Sequence, residues 1–334
     1  MTSIPRPTTS PQRRPRRLRR TPALRRLVAE TTLSVDDFVA PLFVREGIDA
    51  PVAIESLPGV SQHSLASLEV EVGRLIDLGI PAVMLFGIPL TKDEEGSEAW
   101  SPHGIMQVAL RQLRDRFGDA MVLMADLCVD EYTSHGHCGI VDADGVVDND
   151  ATVVNYQKIA VAQADAGAHV VAPSGMMDGQ VGAIRSALDQ NGHEDVSILA
   201  YAAKYASAMY GPFRDAVDVT IADGGDRKGY QQDSRNAREA LEEVRLDIAE
   251  GADIVMVKPA HTYLDLIAAV RADVDVPVAA YHVSGEYAML KAAAANGWID
   301  GDAAALEVLT SIKRAGAGII LTYLAAEVAE MLQT

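Results

Sequence analysis

Residues 197–204 read SILAYAAK and residues 252–258 read ADIVMVK, two apolar runs that each end on a lysine, Lys204 and Lys258. Each run has the length of a strand, and each is apolar at consecutive positions, as a strand covered on both faces must be. Six further runs share that character: 39–44, 82–87, 121–128, 168–173, 276–282 and 317–323. Helical patterns lie between them, at 65–78, 104–117, 151–166, 179–190, 234–250, 263–270, 286–296 and 302–315. Gly167, Gly251 and Gly316 each stand just before a strand run, where a helix C-cap turns into the next strand. Eight strand–helix alternations predict an α/β fold of the closed (β/α)8 TIM-barrel kind. An open doubly wound sheet is disfavoured, because no glycine-rich phosphate loop follows the first strand.

The barrel reading places both lysines at carboxyl-terminal strand ends, the face where barrel enzymes carry their sites. The plain alternative for one such lysine is a side chain that snorkels to water. Two of them, with Tyr201, Tyr205, Tyr210 and Tyr263 nearby, argue for burial instead. Desolvation and a second ammonium both lower a lysine pKa, giving a nucleophilic amine near neutrality. The chemistry that needs two such amines is Schiff-base formation with carbonyl substrates.

Three segments fall outside the barrel pattern. Residues 1–35 form an extended amino-terminal arm, residues 88–103 a charged loop, and residues 205–233 a connection long enough to be a functional lid over the 36–334 catalytic barrel. The lid carries Arg214, Arg227 and Gln231, and arginine forks grip carboxylates in a two-pronged geometry. Tyr281 and Ser284 near the end of the seventh run and Tyr323 at the end of the eighth add hydroxyls to the same mouth. Ser174, after the fourth run, is either a helix cap or a substrate contact. At the end of the third run and just beyond it come Asp126, Cys128, Asp130 and Cys138, where two thiols and a carboxylate are feasible metal ligands. Glu242, Glu243 and Asp247 read from the residues alone as a solvated acidic face.

Composition limits the function class. The chain has 334 residues with 29 Lys and Arg against 47 Asp and Glu. Nine of the arginines lie in residues 1–29, which hold no acid, so the remainder carries 20 basic against 47 acidic residues. A body that acidic repels nucleic acid. No apolar run approaches the ~20 residues of a membrane span, and no signal-like segment opens the chain. Two cysteines in this length suit a reducing cytoplasm and read better as metal ligands than as a disulfide.

The stretches MVKPAHTYLD, AKYASAMYGPFR, TSHGHCG, APSGMMDGQV, YHVSGEYAML and DEEGSEAW together resemble the porphobilinogen synthase (5-aminolevulinate dehydratase) family. The resemblance runs from about Arg16 to the carboxyl terminus. It implies a lyase that condenses two 5-aminolevulinates into porphobilinogen with loss of two waters, in tetrapyrrole (heme) biosynthesis. It implies a (β/α)8 barrel whose arm wraps a neighbour, commonly as a homo-octamer. By the same resemblance, Lys258 forms the Schiff base with the first-bound substrate and Lys204 engages the second. Ser284 and Tyr323 hold the first carboxylate, and Arg214, Arg227 and Gln231 hold the other. Ser174, Tyr210 and Tyr281 line the pocket, and Asp126 sits near the substrate amine. Cys128, Asp130 and Cys138 match the three zinc cysteines of zinc-dependent members, with aspartate as the middle ligand here. Glu243 matches the ligand of an allosteric magnesium. Gly175 replaces an aspartate found in some members. A class I aldolase shares the barrel and one strand-end lysine, but it has no need of the second.

Overall fold

The computed structural model describes residues 13–221 and 225–333. The first twelve residues of the expected arm, and 222–224 of the expected lid, lie outside the described residues. The chain divides between Thr32 and Leu33 into two units. In the first, a 3-10 turn at Pro15–Arg19 precedes the short helix Pro22–Leu27, and neither contains a buried residue. That helix starts where Thr21 accepts a hydrogen bond from the Leu24 amide and Pro22 fills the first turn, where no N–H partner is needed.

The second unit is a closed parallel barrel. Its strands are β1 (Phe38–Arg45), β2 (Ala82–Ile88), β3 (Val122–Leu127), β4 (Val170–Pro173), β5 (Ser197–Lys204), β6 (Ile254–Lys258), β7 (Val278–His282) and β8 (Ile319–Thr322). Each pairs in parallel with its sequence neighbour, and β8 returns to β1 through Phe38↔Ile320 and Val39↔Leu321. All eight coincide with the runs read from the sequence. Their side chains are buried almost without alternation, since β1 and β2 are covered by helices outside and by packed side chains inside.

The helices around the barrel are α1 (Leu65–Asp77), α2 (Ile105–Phe117), α3 (Asn149–Asp165), α4 (Gln180–Gln190), α5 (Arg238–Glu250), α6 (Leu264–Asp273), α7 (Ser284–Ala295), α8 (Gly301–Ala315) and α9 (Ala325–Gln333), and a short helix, Gly211–Ala216, lies in the expected lid. Gly167, Gly251 and Gly316 have φ of 97°, 112° and 124°, so each helix-to-strand turn uses backbone that side-chain-bearing residues avoid. The sequence reading missed α9, because no turn signal separates it from β8. It also missed two hairpins, Val52–Ala53 with Ser61–His63 and Ile140–Val141 with Val147–Asp148. Strands of two or three residues leave no periodicity to detect.

One irregularity matters for the site. Along the β5–β6 pair, Val255 faces Ala200 but Val257 faces Ala203, so β5 carries one extra residue there. This is a β-bulge, and it changes which face the residues after it present. Because of it, Lys204 stands opposite Lys258. Regular pairing would have put Ala203 there and turned Lys204 to the opposite face. None of the described helices is long and apolar enough to cross a membrane.

Candidate active site

Adjacent parallel strands lie about 4.8 Å apart, so register partners on one face share their surroundings. Lys204 and Lys258 are such partners, and both are buried walls of one cavity at the carboxyl-terminal ends of the strands. Lys258 Nζ sits over the rings of Tyr281 at 4.5 Å, Tyr201 at 5.0 Å, Tyr210 at 5.2 Å and Phe213 at 5.3 Å. Ring faces attract a cation by about 0.5–2 kcal/mol each. Loss of water and repulsion from Lys204 outweigh that attraction, and the Lys258 amine is pushed down to about 7. Its neutral fraction at pH 7 is thereby on the order of 10³ times that of free lysine. Lys204 Nζ donates to the Ser174 carbonyl and lies 5.7 Å from the Tyr201 ring centre.

This fixes the sign of a pH dependence. Lys258 loses its proton as pH rises through about 7, so imine formation should climb roughly tenfold per pH unit below 7 and level off above 8. Rates of borohydride trapping at Lys258 between pH 5 and 9 give the profile. A flat profile down to pH 5 would contradict a neutral-amine nucleophile.

The acidic side of the cavity is equally dry. Asp126, on β3, accepts a hydrogen bond from Ser174 Oγ at 3.3 Å. Burial first, and Asp130 second, raise its carboxyl to about 6, against the pull of both lysines. Ser174 is therefore a cavity contact rather than a helix cap, since Gly179 caps α4. Burial would also raise Asp130, but the charges of Arg227 and Lys204 overcome it and hold the carboxyl well below the usual range. Arg227 Nη2 pairs with Asp130 Oδ2 at 2.8 Å and donates to the Gly136 carbonyl at 2.8 Å. Its Nε, like Gln231 Nε2, is a buried donor without a protein acceptor. Arg214 also lines the cavity, and burial followed by Arg227 lowers its pKa. Unsatisfied buried donors beside two arginines suit a carboxylate ligand.

Cys128, Asp130 and Cys138 are all buried, with ligand atoms within 4.8 Å of one another. They form the one such group among the described residues. Both cysteines are packed inside, and both are free thiols. Burial raises Cys128 above its ordinary value. For Cys138 the Cys128 hydrogen bond and Arg227 outweigh burial and bring the thiol down to about 7. Two sulfurs and one oxygen at this spacing fit a divalent cation with metal–ligand distances of about 2.0–2.3 Å. Tyr156 reaches Cys128 Sγ at 3.5 Å and hydrogen-bonds the Cys138 carbonyl. A Cβ at Gly175 would collide with the Tyr156 hydroxyl, so an aspartate at 175 is incompatible with this tyrosine position.

Of the sequence candidates, Lys204, Lys258, Asp126, Asp130, Ser174, Tyr210, Arg214, Arg227 and Gln231 line the cavity. Tyr281, Ser284 and Tyr323 do not. They stand behind Lys258, where the Tyr281 and Tyr323 hydroxyls are 3.0 Å apart and Ser284 Oγ accepts from the Phe213 amide at 3.0 Å. The Phe213 ring packs on Phe86 and Phe43 in the same place. Glu243 lines a separate cavity with Asp178, Glu239 and Asn149. Burial and then Asp178 raise its carboxyl, while Asp247 is lifted to about 8 by burial and then Glu250. The acidic face of α5 is therefore only partly solvated.

Sequence reasoning assigned no role to Glu131 or Phe213. Glu131 is buried in the cavity wall, its carboxyl raised by burial and then by Asp130. Its place between a metal-ligand candidate and a tyrosine was the available signal.

Comparison with known proteins agrees with this geometry. A family profile described as "Delta-aminolevulinic acid dehydratase" matches residues 12–331. The chain is 59% identical over 325 residues to the delta-aminolevulinic acid dehydratase of Streptomyces coelicolor, covering 97% of this chain and 98% of that one. It is 58% identical over 324 residues to that of Mycobacterium tuberculosis, covering 96% and 98%. The crystal structure of delta-aminolevulinic acid dehydratase (porphobilinogen synthase) from Toxoplasma gondii ME49, in complex with the reaction product porphobilinogen, superposes with a TM-score of 0.94 at 47% identity. That match covers 96% of this chain and 91% of the other. With two register-paired lysines in a dry cavity and a match along nearly its whole length, this chain belongs to the delta-aminolevulinic acid dehydratase family.

Proposed function

We propose that the cavity performs porphobilinogen synthesis with Lys258 and Lys204 as the two carbonyl-capturing amines. The register pairing of the lysines carries this reading. Neutral Lys258 adds to the ketone of the first 5-aminolevulinate, and the resulting carbinolamine loses one water as the imine forms. Ser284 and Tyr323, which lie outside the cavity here with Ser284 bonded to the Phe213 amide, would hold that molecule's carboxylate by exchanging those contacts for it. Lys204 engages the second ketone, whose carboxylate Arg214, Arg227 and Gln231 receive through the lid. Asp126, poised at about 6, exchanges a proton with a substrate amine. Imine formation at Lys204 loses the second water, a C–N and a C–C bond then join the two molecules as both lysine amines leave, and proton loss completes the pyrrole. Ser174 and Tyr210 form pocket walls, and the Tyr210 ring, with Tyr281 packed against Lys258, keeps water away from the imine.

Cys128, Asp130 and Cys138 would hold zinc, which supplies Lewis-acid polarisation of a substrate nitrogen or oxygen when bound. Glu243, in its own acidic cavity, would help hold an allosteric magnesium through the oxygen ligands that ion prefers. The arginine-rich arm, residues 1–35, serves subunit contacts in a homo-octamer, and residues 36–334 form the catalytic unit with lid 205–233. The short helix at Pro22–Leu27 buries nothing within its own unit, which suits a segment that packs on a neighbour. Two free cysteines in the chain favour a cytoplasmic setting.

Purified chain stripped of metal should regain conversion of 5-aminolevulinate to porphobilinogen when zinc is supplied, and gain further with magnesium. Glu243→Ala should lose only the magnesium increment. Recovery without zinc would remove the cation from the cysteine site, and an unchanged magnesium response in the variant would remove it from Glu243.

A further inference from the structure

Glu286 is the third residue of α7 and buried, and it does not line the cavity. Its two carboxylate oxygens accept four backbone N–H groups. Oε1 takes those of His261 at 2.7 Å and Thr262 at 3.3 Å. Oε2 takes those of Val283 at 2.8 Å and Ala260 at 3.4 Å. Three of the donors belong to the loop that leaves β6 directly after Lys258, and the fourth precedes Ser284. A carboxylate in that position completes a helix cap and also ties the exits of two neighbouring strands together.

The Lys258 loop is gripped from its other side as well. The Lys258 carbonyl accepts from the Tyr205 amide at 2.9 Å and lies 3.3 Å from the Tyr210 hydroxyl. Ser284 Oγ in turn donates to the Met209 carbonyl at 3.2 Å. Of the side chains in this arrangement, Glu286 alone bonds the backbone of both loops, one following the reactive amine and one preceding the hydroxyl expected to hold the first carboxylate.

We infer that Glu286 is a positioning residue for the reaction, fixing the distance between the Lys258 amine and Ser284 by holding both loops in one hydrogen-bonded frame. The inference rests on the reading that Lys258 forms the first imine. A substrate tethered at one end by its carboxylate reaches the amine only if that distance is correct, and a displacement of about 1 Å can cost on the order of 10²-fold in rate. Glutamine keeps the shape of Glu286, but its amide nitrogen is a donor and cannot accept from these N–H groups.

The test is borohydride trapping of 5-aminolevulinate on Glu286→Gln and on the unaltered chain, with peptide mass mapping of Lys258 and Lys204. The expected result is a loss of at least tenfold in labelling rate at Lys258, with less than a twofold change at Lys204. The apparent KM should rise along with the fall in kcat. Equal labelling of Lys258 in both proteins overturns the inference, and so does an equal loss at both lysines, which marks a general structural role. If the unaltered chain shows no label at Lys258, the imine assignment fails instead. Should Glu286→Gln not fold, amide hydrogen exchange on the unaltered chain decides. Protection of residues 260–262 and 283 before substrate binds supports a pre-set frame. Exchange that slows only after 5-aminolevulinate is added overturns it.

Discussion

Replacing Lys258 by alanine is expected to abolish turnover, while Lys204→Ala retains imine formation with a single 5-aminolevulinate and makes no porphobilinogen. The asymmetry follows from the surroundings of the two amines. Lys258 Nζ is ringed by four aromatic faces and has its pKa brought to about 7 by burial and by Lys204. It is the ready nucleophile. Removing Lys204 takes away one cationic neighbour but leaves that dry environment in place. The Lys258 pKa then rises somewhat, and imine formation at pH 7 slows by a modest factor that higher pH restores. Removing Lys258 leaves no neutral amine next to the first substrate, and a loss of 10⁴-fold or more is the scale for a missing covalent nucleophile. Borohydride reduction with substrate, followed by peptide mapping, reads this directly. Substrate mass absent from the Lys258 peptide of the unaltered chain would defeat the assignment, as would turnover in Lys258→Ala above one part in a thousand.

Arg227→Ala is the second large effect, and it should appear in folding as well as in activity. Asp130 is buried, Arg227 keeps only 10% of its side chain exposed, and the pair sits at 2.8 Å. Deleting one partner of a buried pair leaves an uncompensated charge, at a cost of about 3–5 kcal/mol. The pH dependence has a definite sign. With Arg227 present, the Asp130 carboxyl lies below the ordinary range. Its ionised form therefore stabilises the fold above the unfolded value near 4, and that contribution is lost only as pH falls through the lower folded value. Without Arg227, burial raises the carboxyl, so ionised Asp130 opposes folding at neutral pH. The stability gap between the two proteins should be widest near pH 7 and should shrink toward pH 4. Denaturant titrations across that range measure it, and a gap under about 0.5 kcal/mol at pH 7 would mean that the pair contributes little. In activity the variant should raise KM at least tenfold through loss of a carboxylate fork. Arg227→Lys, which keeps the charge without the fork, should recover stability more fully than KM.

The barrel was legible because its evidence is local and repeated. Strands buried on both faces cannot hide among polar residues, and each glycine before a strand marked the end of a helix. The two lysines were legible for the same reason, as charges at the tips of runs that otherwise avoid them. The cavity assignment was only partly readable. Whether a side chain at the mouth lines the space or backs it depends on packing such as that of Phe213, whose amide bonds Ser284 and whose ring packs on Phe43, which in turn stacks on Tyr323. Glu286 gave no signal as more than the start of a helix, because its four partners are backbone amides and leave no trace in residue types. Burial of Cys138 left no trace in its polar surroundings in sequence, Ser134 to Gly139, because it depends on what folds over them.

The extra residue in β5 could not have been seen either, since an all-apolar run shows no alternation to interrupt. Yet it determines whether the barrel presents one amine or two toward the substrates. Tyr201 already points inward, near both ammonium groups, and regular pleating would send Ala203 in after it. With the extra residue in place, Lys204 turns inward beside Lys258, and without it that side chain would face away. Which amines can reach the substrates is thus decided by an irregularity of backbone pairing as much as by the residue types at the strand ends.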